Sequence, residues 1–159
     1  MSSLELERQL IRRRLLGWAL ACEETMPGVD LGRDVKLMRG PEGLDLARLE
    51  GIDALTQSLE IALTTLLGSD VFNTDFGFDG LNALAEETDP TLTRERVRVA
   101  VIQVLRKEPR VRRILDVKLN GGQLDRPPSG SRVLDIHVSF ETVTGDAATA
   151  NLGKVVPHA

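Results

Sequence analysis

Residues 97–119, VRVAVIQVLRKEPRVRRILDVKL, decide the fold because they join a helix to a strand at one short turn. Proline lacks an amide hydrogen and disfavours helical geometry in the preceding residue, so Pro109 predicts a helix that ends near Lys107. Glu108 then lies at the negative end of the helix dipole, where a carboxylate needs a cation, and Arg110 is the nearest one. We therefore expect Glu108 and Arg110 to act as a pair.

The apolar residues before the turn fit two periodicities. Val97, Val99 and Val101 alternate as in a strand, whereas the segment as a whole fits the period of a helix. Its length and its ends favour a helix over residues 94–107 with Thr93 as N-cap. The additional apolar residues Val99 and Ile102 predict burial on more than one side of this helix.

The segments after the turn, residues 111–119 and 132–143, predict two half-buried strands because apolar and polar side chains alternate in both. The predicted buried face of the first strand consists of Leu115, Val117 and Leu119. His137 falls on the polar face of the second strand, so we interpret it as a surface histidine rather than a ligand. Residues 120–131, which contain Asn-Gly-Gly and Pro-Pro, predict an exposed connector between the strands.

The N-terminal half predicts a helix, a hairpin and a second helix. Residues 4–24 carry apolar side chains at helical spacing, namely Leu4, Ile11, Leu15, Trp18 and Cys22. This amphipathic helix either caps its own domain or is an arm on a neighbouring subunit. Residues 34–38 and 44–49 predict a β-hairpin, and residues 52–67 predict a core helix stopped by Gly68. Gln57 and Glu60 lie off the apolar stripe of that helix and are expected to face water or a partner.

The loop over residues 70–81 carries three of the four phenylalanines together with two glycines. Phe72, Phe76 and Phe78 either fill the core or act as anchors in a subunit interface, where aromatic side chains dominate binding energy. Residues 81–87 predict a short helix.

Composition excludes several classes of protein. With 159 residues, 42% hydrophobic and 28% charged, the chain fits one globular domain. A net charge of −4 argues against a dedicated nucleic-acid binder. One cysteine excludes an intrachain disulfide, and two histidines without a zinc-binding pattern lead us to expect no metal or cofactor. The N-terminus has only a poor likeness to a lipoprotein signal, in which Arg12 to Arg14 precede an apolar run and Cys22. We therefore expect a cytoplasmic protein without membrane insertion.

These elements predict an α+β fold of two layers, with a small antiparallel or mixed sheet packed on two core helices plus the N-terminal amphipathic helix. Residues 1–28 are expected to form the N-terminal helix and residues 29–143 the α+β domain. Residues 144–159, rich in Thr, Ala, Gly and Asn, predict a flexible tail.

The order of these elements resembles the baseplate wedge family of contractile injection systems, found in contractile-tailed phages, type VI secretion systems and extracellular phage-tail-like particles, and once labelled lysozyme-like. The resemblance covers about residues 34–142. Its most specific residues are Glu108, Pro109 and Arg110 at the helix-to-strand junction, followed by Asp75-Phe76-Gly77 with Leu81, and Leu55 with Gln57. The chain departs from the family at Thr74, where members often have proline, and in the longer spacing from Gly77 to Leu81.

The resemblance implies a structural, non-enzymatic role in the assembled particle or virion tail, with six copies expected per ring. Such proteins connect the wedge to the first ring of the sheath and seed sheath assembly. The implied partners are baseplate wedge proteins, the contractile sheath protein, and the spike or hub. The residues implied in protein interaction are Asp75, Phe76, Gly77, Glu108, Pro109 and Arg110, and an exposed strand edge would accept a sheath strand.

Two alternatives belong to other classes of function. A peptidoglycan hydrolase needs two carboxylates about 5 to 9.5 Å apart, one with a raised pKa. Asp75, Asp79, Glu86 and Glu87 supply acids, but one tryptophan and no tyrosine give little indication of a sugar-binding cleft. The other alternative is a stand-alone adaptor that uses the same fold to bind one protein.

Overall fold

The computed structural model describes residues 3–25, 33–80, 89–121 and 134–155, and these form an α+β fold of helices and small antiparallel sheets. The helices are α1 (Ser3–Leu16), α2 (Ile52–Thr64) and α3 (Pro90–Lys107). The strands are β1 (Trp18–Leu20), β2 (Cys22–Glu24), β3 (Arg33–Val35), β4 (Leu37–Gly40), β5 (Gly43–Leu46), β6 (Arg48–Glu50), β7 (Val111–Gly121), β8 (Leu134–Thr142) and β9 (Ala147–Val155). None of these helices has both the length and the apolar composition that a membrane crossing requires.

The chain divides into two compact units, Met1–Ser58 and Leu59–Ala159, and the division falls within α2. The first unit is built on three short antiparallel strand pairs, β1 with β6, β2 with β3, and β4 with β5. The pairs meet where Ala21, Lys36 and Ala47 close a ring of backbone hydrogen bonds. Ala21 N donates to Ala47 O at 2.8 Å, Lys36 N to Ala21 O at 2.8 Å, and Ala47 N to Lys36 O at 2.9 Å. The ring satisfies the backbone where each segment changes its pairing partner.

Gln57 of α2 completes this three-way junction from the helix side. Its Oε1 accepts a hydrogen bond from Cys22 N at 2.7 Å, and its Nε2 donates to Leu20 O at 2.7 Å. The side chain is buried, so the prediction that Gln57 faces water or a partner is wrong. The amide group of Gln57 therefore provides one acceptor and one donor to the backbone on either side of Ala21, as the backbone of a neighbouring strand would.

The predicted N-terminal helix over residues 4–24 is wrong in its second half, because α1 ends at Leu16. Gly17 has a φ of +76°, a conformation that favours glycine, and its N donates to Arg13 O at 3.1 Å to close the last turn. Trp18 and Cys22, which fit the helical spacing, lie instead in the strands β1 and β2.

The predicted core helix is confirmed, and the predicted hairpin is confirmed only near its turn, because residues 34–35 pair with β2 and residues 48–49 pair with β1. β4 and β5 pair from Leu37 opposite Leu46 to Gly40 opposite Gly43. The core helix is α2, which ends at Thr64, and Gly68 follows with a φ of +79°. Fully or nearly fully buried apolar side chains line its predicted stripe at Leu55, Leu59, Ala62 and Leu63.

The second unit contains an antiparallel sheet in the order β7-β8-β9, with α3 against β7. Ile136, Val138 and Phe140 of β8 are fully buried, as the alternation predicts. His137 is half-buried, and its Nε2 lies 3.0 Å from Asp135 Oδ2 on the same strand. The prediction of a flexible tail from residue 144 is wrong for Ala147–Val155, which pairs with β8. Ala150 of this strand is buried, at 1% exposed.

Two irregularities in β7 change its predicted buried face. The register with β8 shifts between Val111 and Arg113 and again between Ile114 and Asp116. Each shift interrupts the alternation of side chains, as β-bulges do. Ile114 is therefore half-buried, whereas Leu115, predicted to face inward, is 49% exposed.

The helix α3 begins earlier than predicted and ends at Lys107 as predicted. Its N-cap is Asp89, whose Oδ1 accepts from Thr91 N at 2.7 Å and from Leu92 N at 3.3 Å. Thr93 is not the cap, because Asp89 followed by proline at the first helical position makes a stronger start. Val99 is 53% exposed, so the prediction that it is buried is wrong.

The domain limits at residues 28 and 143 stay predictions. The helix predicted over residues 81–87 and most of the connector predicted over residues 120–131 lie outside the described residues.

Candidate protein-interaction site

The turn between α3 and β7 is closed by its own ion pair. Arg110 Nε donates to Glu108 Oε1 at 2.6 Å, and Arg110 Nη2 donates to Glu108 Oε2 at 2.8 Å. These two charged hydrogen bonds fix the guanidinium and the carboxylate in one orientation. Arg110 N also donates to Glu108 Oε1 at 3.1 Å. The expected pairing of Glu108 with Arg110 is confirmed.

The electrostatics of this pair stabilise both charges. Burial works to raise the pKa of Glu108, but the hydrogen bonds and the positive charge of Arg110 outweigh it and hold that pKa below its ordinary value. The hydrogen bond from Glu108 raises the pKa of Arg110 against the opposing effect of burial. The side chains are 16% and 25% exposed, so solvent screens the pair less than it screens a surface ion pair.

Backbone hydrogen bonds hold the same turn against the sheet. Val111 N donates to Glu108 O at 3.1 Å, which starts β7, and Val143 N donates to Arg110 O at 3.0 Å, just beyond the end of β8. Pro109 is exposed at the outer side of the turn. The turn therefore has a fixed shape and an outward-facing proline.

The second predicted site, Asp75-Phe76-Gly77, lies in a loop that folds back on the end of α2. Gly77 has a φ of +112°, and a Cβ there would lie 2.8 Å from Thr65 O and 2.9 Å from Leu66 O. Beside it, Phe78 N donates to Thr65 O at 2.8 Å. Only glycine fits this approach of two backbone segments.

The three phenylalanines of the loop have different environments. Phe78 is fully buried, Phe76 is half-buried and Phe72 is 97% exposed. Phe72 nevertheless lies in an ordered turn, because its N donates to Asp70 Oδ1 at 2.9 Å and Asn73 N donates to Asp70 O at 3.1 Å. The core interpretation therefore holds for Phe78, and Phe72 has the exposure of an interface anchor.

Lys107 brings the two predicted sites together. It is the last residue of α3, directly before Glu108, and its Nζ donates to Asp75 O at 2.8 Å. This bond ties the loop to the residue that precedes the Glu-Pro-Arg turn, within the second unit. The sequence places Lys107 only near the end of a helix, because no local pattern encodes a bond between residues 75 and 107.

The chemistry of this surface suits contact with a protein. It offers exposed Asp75, half-buried Phe76 and exposed Pro109 on a backbone fixed by Gly77 and the ion pair. Within the described ranges, no cluster of three or more His, Cys, Asp or Glu side chains has the arrangement of a metal site. Neither a scan against models of protein families nor a search of curated proteins gives a match to the chain.

Proposed function

We propose that this chain is a structural component of the baseplate of a contractile injection machine, where it connects the wedge to the first sheath ring and seeds sheath assembly. The observation that best supports this role is the bond from Lys107 to Asp75, which links the loop of the family resemblance to the end of the helix before the Glu-Pro-Arg turn. The proposal includes a non-enzymatic role, several copies per ring, and assembly in the cytoplasm within the particle or virion tail.

The Glu-Pro-Arg turn is proposed to dock on the wedge by its shape. Glu108 and Arg110 bond each other and are mostly buried, so their charges serve first to fix the turn. The groups left facing outward are Pro109 and, across the Lys107 bond, Asp75 and Phe76. A rigid surface of this kind loses little conformational freedom on binding, which favours a stable joint.

The three-stranded sheet is proposed to receive the sheath. β7 and β9 each pair with β8, and within the described residues neither has a second strand on its other side. Each therefore has an outer edge whose backbone groups can bond an incoming strand. Addition of a sheath strand to such an edge would give the first sheath ring its position.

A charge swap tests whether the turn acts through its shape or its charges. The doubly substituted chain Glu108→Arg, Arg110→Glu keeps opposite charges at the two positions. It loses the carboxylate of Glu108 that accepts a hydrogen bond from the backbone N of residue 110. It is co-expressed with the wedge and sheath proteins of an injection system, and sheath-bearing particles are counted by electron microscopy. Recovery of folding and assembly indicates that the charges serve the turn, whereas folding without assembly indicates that the partner reads them.

The matched control is the exposed pair on α3, swapped as Glu95→Arg with Arg98→Glu, where Nη1 and Oε1 lie 2.7 Å apart. We expect this control to assemble normally. Equal sheath formation with and without the chain would overturn the proposal. A one-to-one complex that requires neither wedge nor sheath would favour the stand-alone adaptor instead.

A further inference from the structure

The helix α1 exposes an unusual amount of apolar surface for its length. Leu4, Ile11 and Leu15, which share one face at i, i+7 and i+11, are 70%, 52% and 49% exposed. Among the described side chains of this helix, Leu16 is fully buried, and it lies off that face. Exposed apolar stripes of this kind mark interaction surfaces.

This stripe lies in a positively charged setting. Arg8 precedes Ile11 by three residues and Arg14 follows it by three, so both border the stripe. An open depression of about 360 Å³ lies on α1, lined by Glu5, Arg8, Gln9 and Arg12. The helix carries four arginines against two glutamates. We call Leu4, Arg8, Ile11, Arg14 and Leu15 the α1 patch.

The loop after α2 has the opposite character. Val71 and Phe72 are 79% and 97% exposed at the apex of the turn fixed by Asp70. Residues 66–80 contain Asp70, Asp75 and Asp79 but no lysine or arginine. We call Val71 and Phe72 the loop tip, a rigid apolar projection with acidic neighbours.

We infer that the loop tip of one copy docks on the α1 patch of a second copy of this chain. The apolar side chains of both surfaces are exposed to solvent in the single chain, and the two surfaces carry opposite charge. Phe72 would contact Ile11 and Leu15. Its aromatic ring, where it enters the adjoining depression, would lie against the aliphatic stems and guanidinium planes of Arg8 and Arg12.

A contact between two different surfaces is heterologous, so it builds rings if the rotation closes and open chains if it does not. The contact between two copies does not depend on the proposed function; only the expectation that the copies close into a ring rests on it. The contact itself is tested with the full chain alone, so a failure here is separable from a failure of sheath assembly.

The first experiment follows the sedimentation velocity of the full chain up to about 100 μM, where weak specific contacts are populated. We expect concentration-dependent association that decreases with added salt, because salt screens the opposite charges. Phe72→Ser and, separately, Ile11→Ser weaken this association by about tenfold or more, as loss of an interface anchor does. Leu44→Ser, which removes a 73% exposed leucine from the hairpin, is the matched control and leaves association unchanged.

The second experiment mixes the Phe72→Ser chain with the Ile11→Ser chain. Each alone associates about tenfold more weakly than the unsubstituted chain, but the mixture retains one intact loop tip and one intact α1 patch. It therefore forms a dimer and nothing larger. Circular dichroism and thermal unfolding verify that both chains are folded, as expected for exposed positions.

Four results would overturn the inference. The unsubstituted chain stays monomeric throughout the concentration range, or Leu44→Ser weakens association as much as Phe72→Ser does. The mixed chains form no dimer. Ile11→Ser alone abolishes association while Phe72→Ser leaves it intact, which would show that α1 pairs with itself.

Discussion

At the scale of single residues, Glu108 and Gly77 hold the candidate site in place by different means. Glu108 accepts three hydrogen bonds from Arg110, one from the backbone and two from the guanidinium. Gly77 allows the loop to approach the end of α2 more closely than any side chain permits. Substitution of either residue should therefore have a measurable effect on the free energy of unfolding.

Glu108→Gln removes the charge while it keeps the size of the side chain. Because Arg110 then stays mostly buried without a full negative partner, we expect the free energy of unfolding at pH 7 to fall by about 1–2 kcal/mol. Urea denaturation measures the change. Glu95→Gln, in the exposed pair with Arg98, is the control and should cost about 0.5 kcal/mol or less.

The pH dependence of this difference has a defined sign. The pKa of folded Glu108 is lowered from about 4.5, so the pair contributes its full stability above that pH. The contribution is lost as the pH falls through the lower pKa of the folded state. The unsubstituted chain should therefore lose its advantage over Glu108→Gln in acid. An advantage that stays constant down to pH 3 would contradict the role of this ion pair.

Gly77→Ala should destabilise the second unit by at least about 2 kcal/mol, since the new Cβ meets backbone atoms that cannot rotate away. Gly145→Ala separates steric overlap from backbone strain, because Gly145 has a φ of +82° with nothing within 4 Å of its Cβ position. We expect it to cost about 1 kcal/mol. Thermal unfolding compares the two, and equal losses would contradict the close approach at Gly77.

At the scale of elements, helices and long alternating strands could be predicted from the sequence, and the three-way junction could not. α2 and α3 have enough residues for their helical period to be seen, and Pro109 marks where α3 ends. β1 and β2 have three residues each, and β1 pairs with a segment far along the chain. A strand of three residues is too short to show a clear alternation of apolar and polar side chains. Trp18 and Cys22 have the spacing of a helix although they lie in strands.

The junction makes α2 important for more than its apolar stripe. Gln57→Ala removes the acceptor of Cys22 N and the Nε2 donor to Leu20 O, so we expect a loss of about 2–4 kcal/mol and faster hydrogen exchange at the Cys22 amide. Ser58→Ala is the neighbouring control, because Ser58 Oγ bonds only Ala54 O within the helix, and it should cost about 0.5 kcal/mol. Equal exchange of the Cys22 amide in both chains would show that Gln57 does not hold the junction.

At the scale of the whole molecule, a local pairing within the candidate site can be predicted from the sequence, whereas its tertiary arrangement cannot. The internal pairing of Glu108 with Arg110 followed from helix electrostatics across two residues. The link from Lys107 to Asp75 depends on tertiary folding, and the exposure of Phe72 depends on which phenylalanine enters the core. Sequence spacing carries neither kind of information.

The proposed structural role predicts no peptidoglycan hydrolysis. A glycosidase needs two carboxylates held about 5 to 9.5 Å apart on either side of a bound sugar, and the proposed structural role requires no such pair. Incubation of the purified chain with peptidoglycan should release no more reducing sugar than a chain with Glu86→Gln and Glu87→Gln. Turnover above that control would support the hydrolase alternative.

The ring of hydrogen bonds among Ala21, Lys36 and Ala47 has a consequence for how this chain can be engineered and how it can diverge. Each arm leaves the ring as a separate strand pair, so one arm can be extended without changing the register of the other two. The β4-β5 arm ends at the exposed Pro41-Glu42 turn, and four residues on each strand separate that turn from the ring. An epitope or fluorescent label grafted into that turn would report on assembly while the junction keeps its geometry.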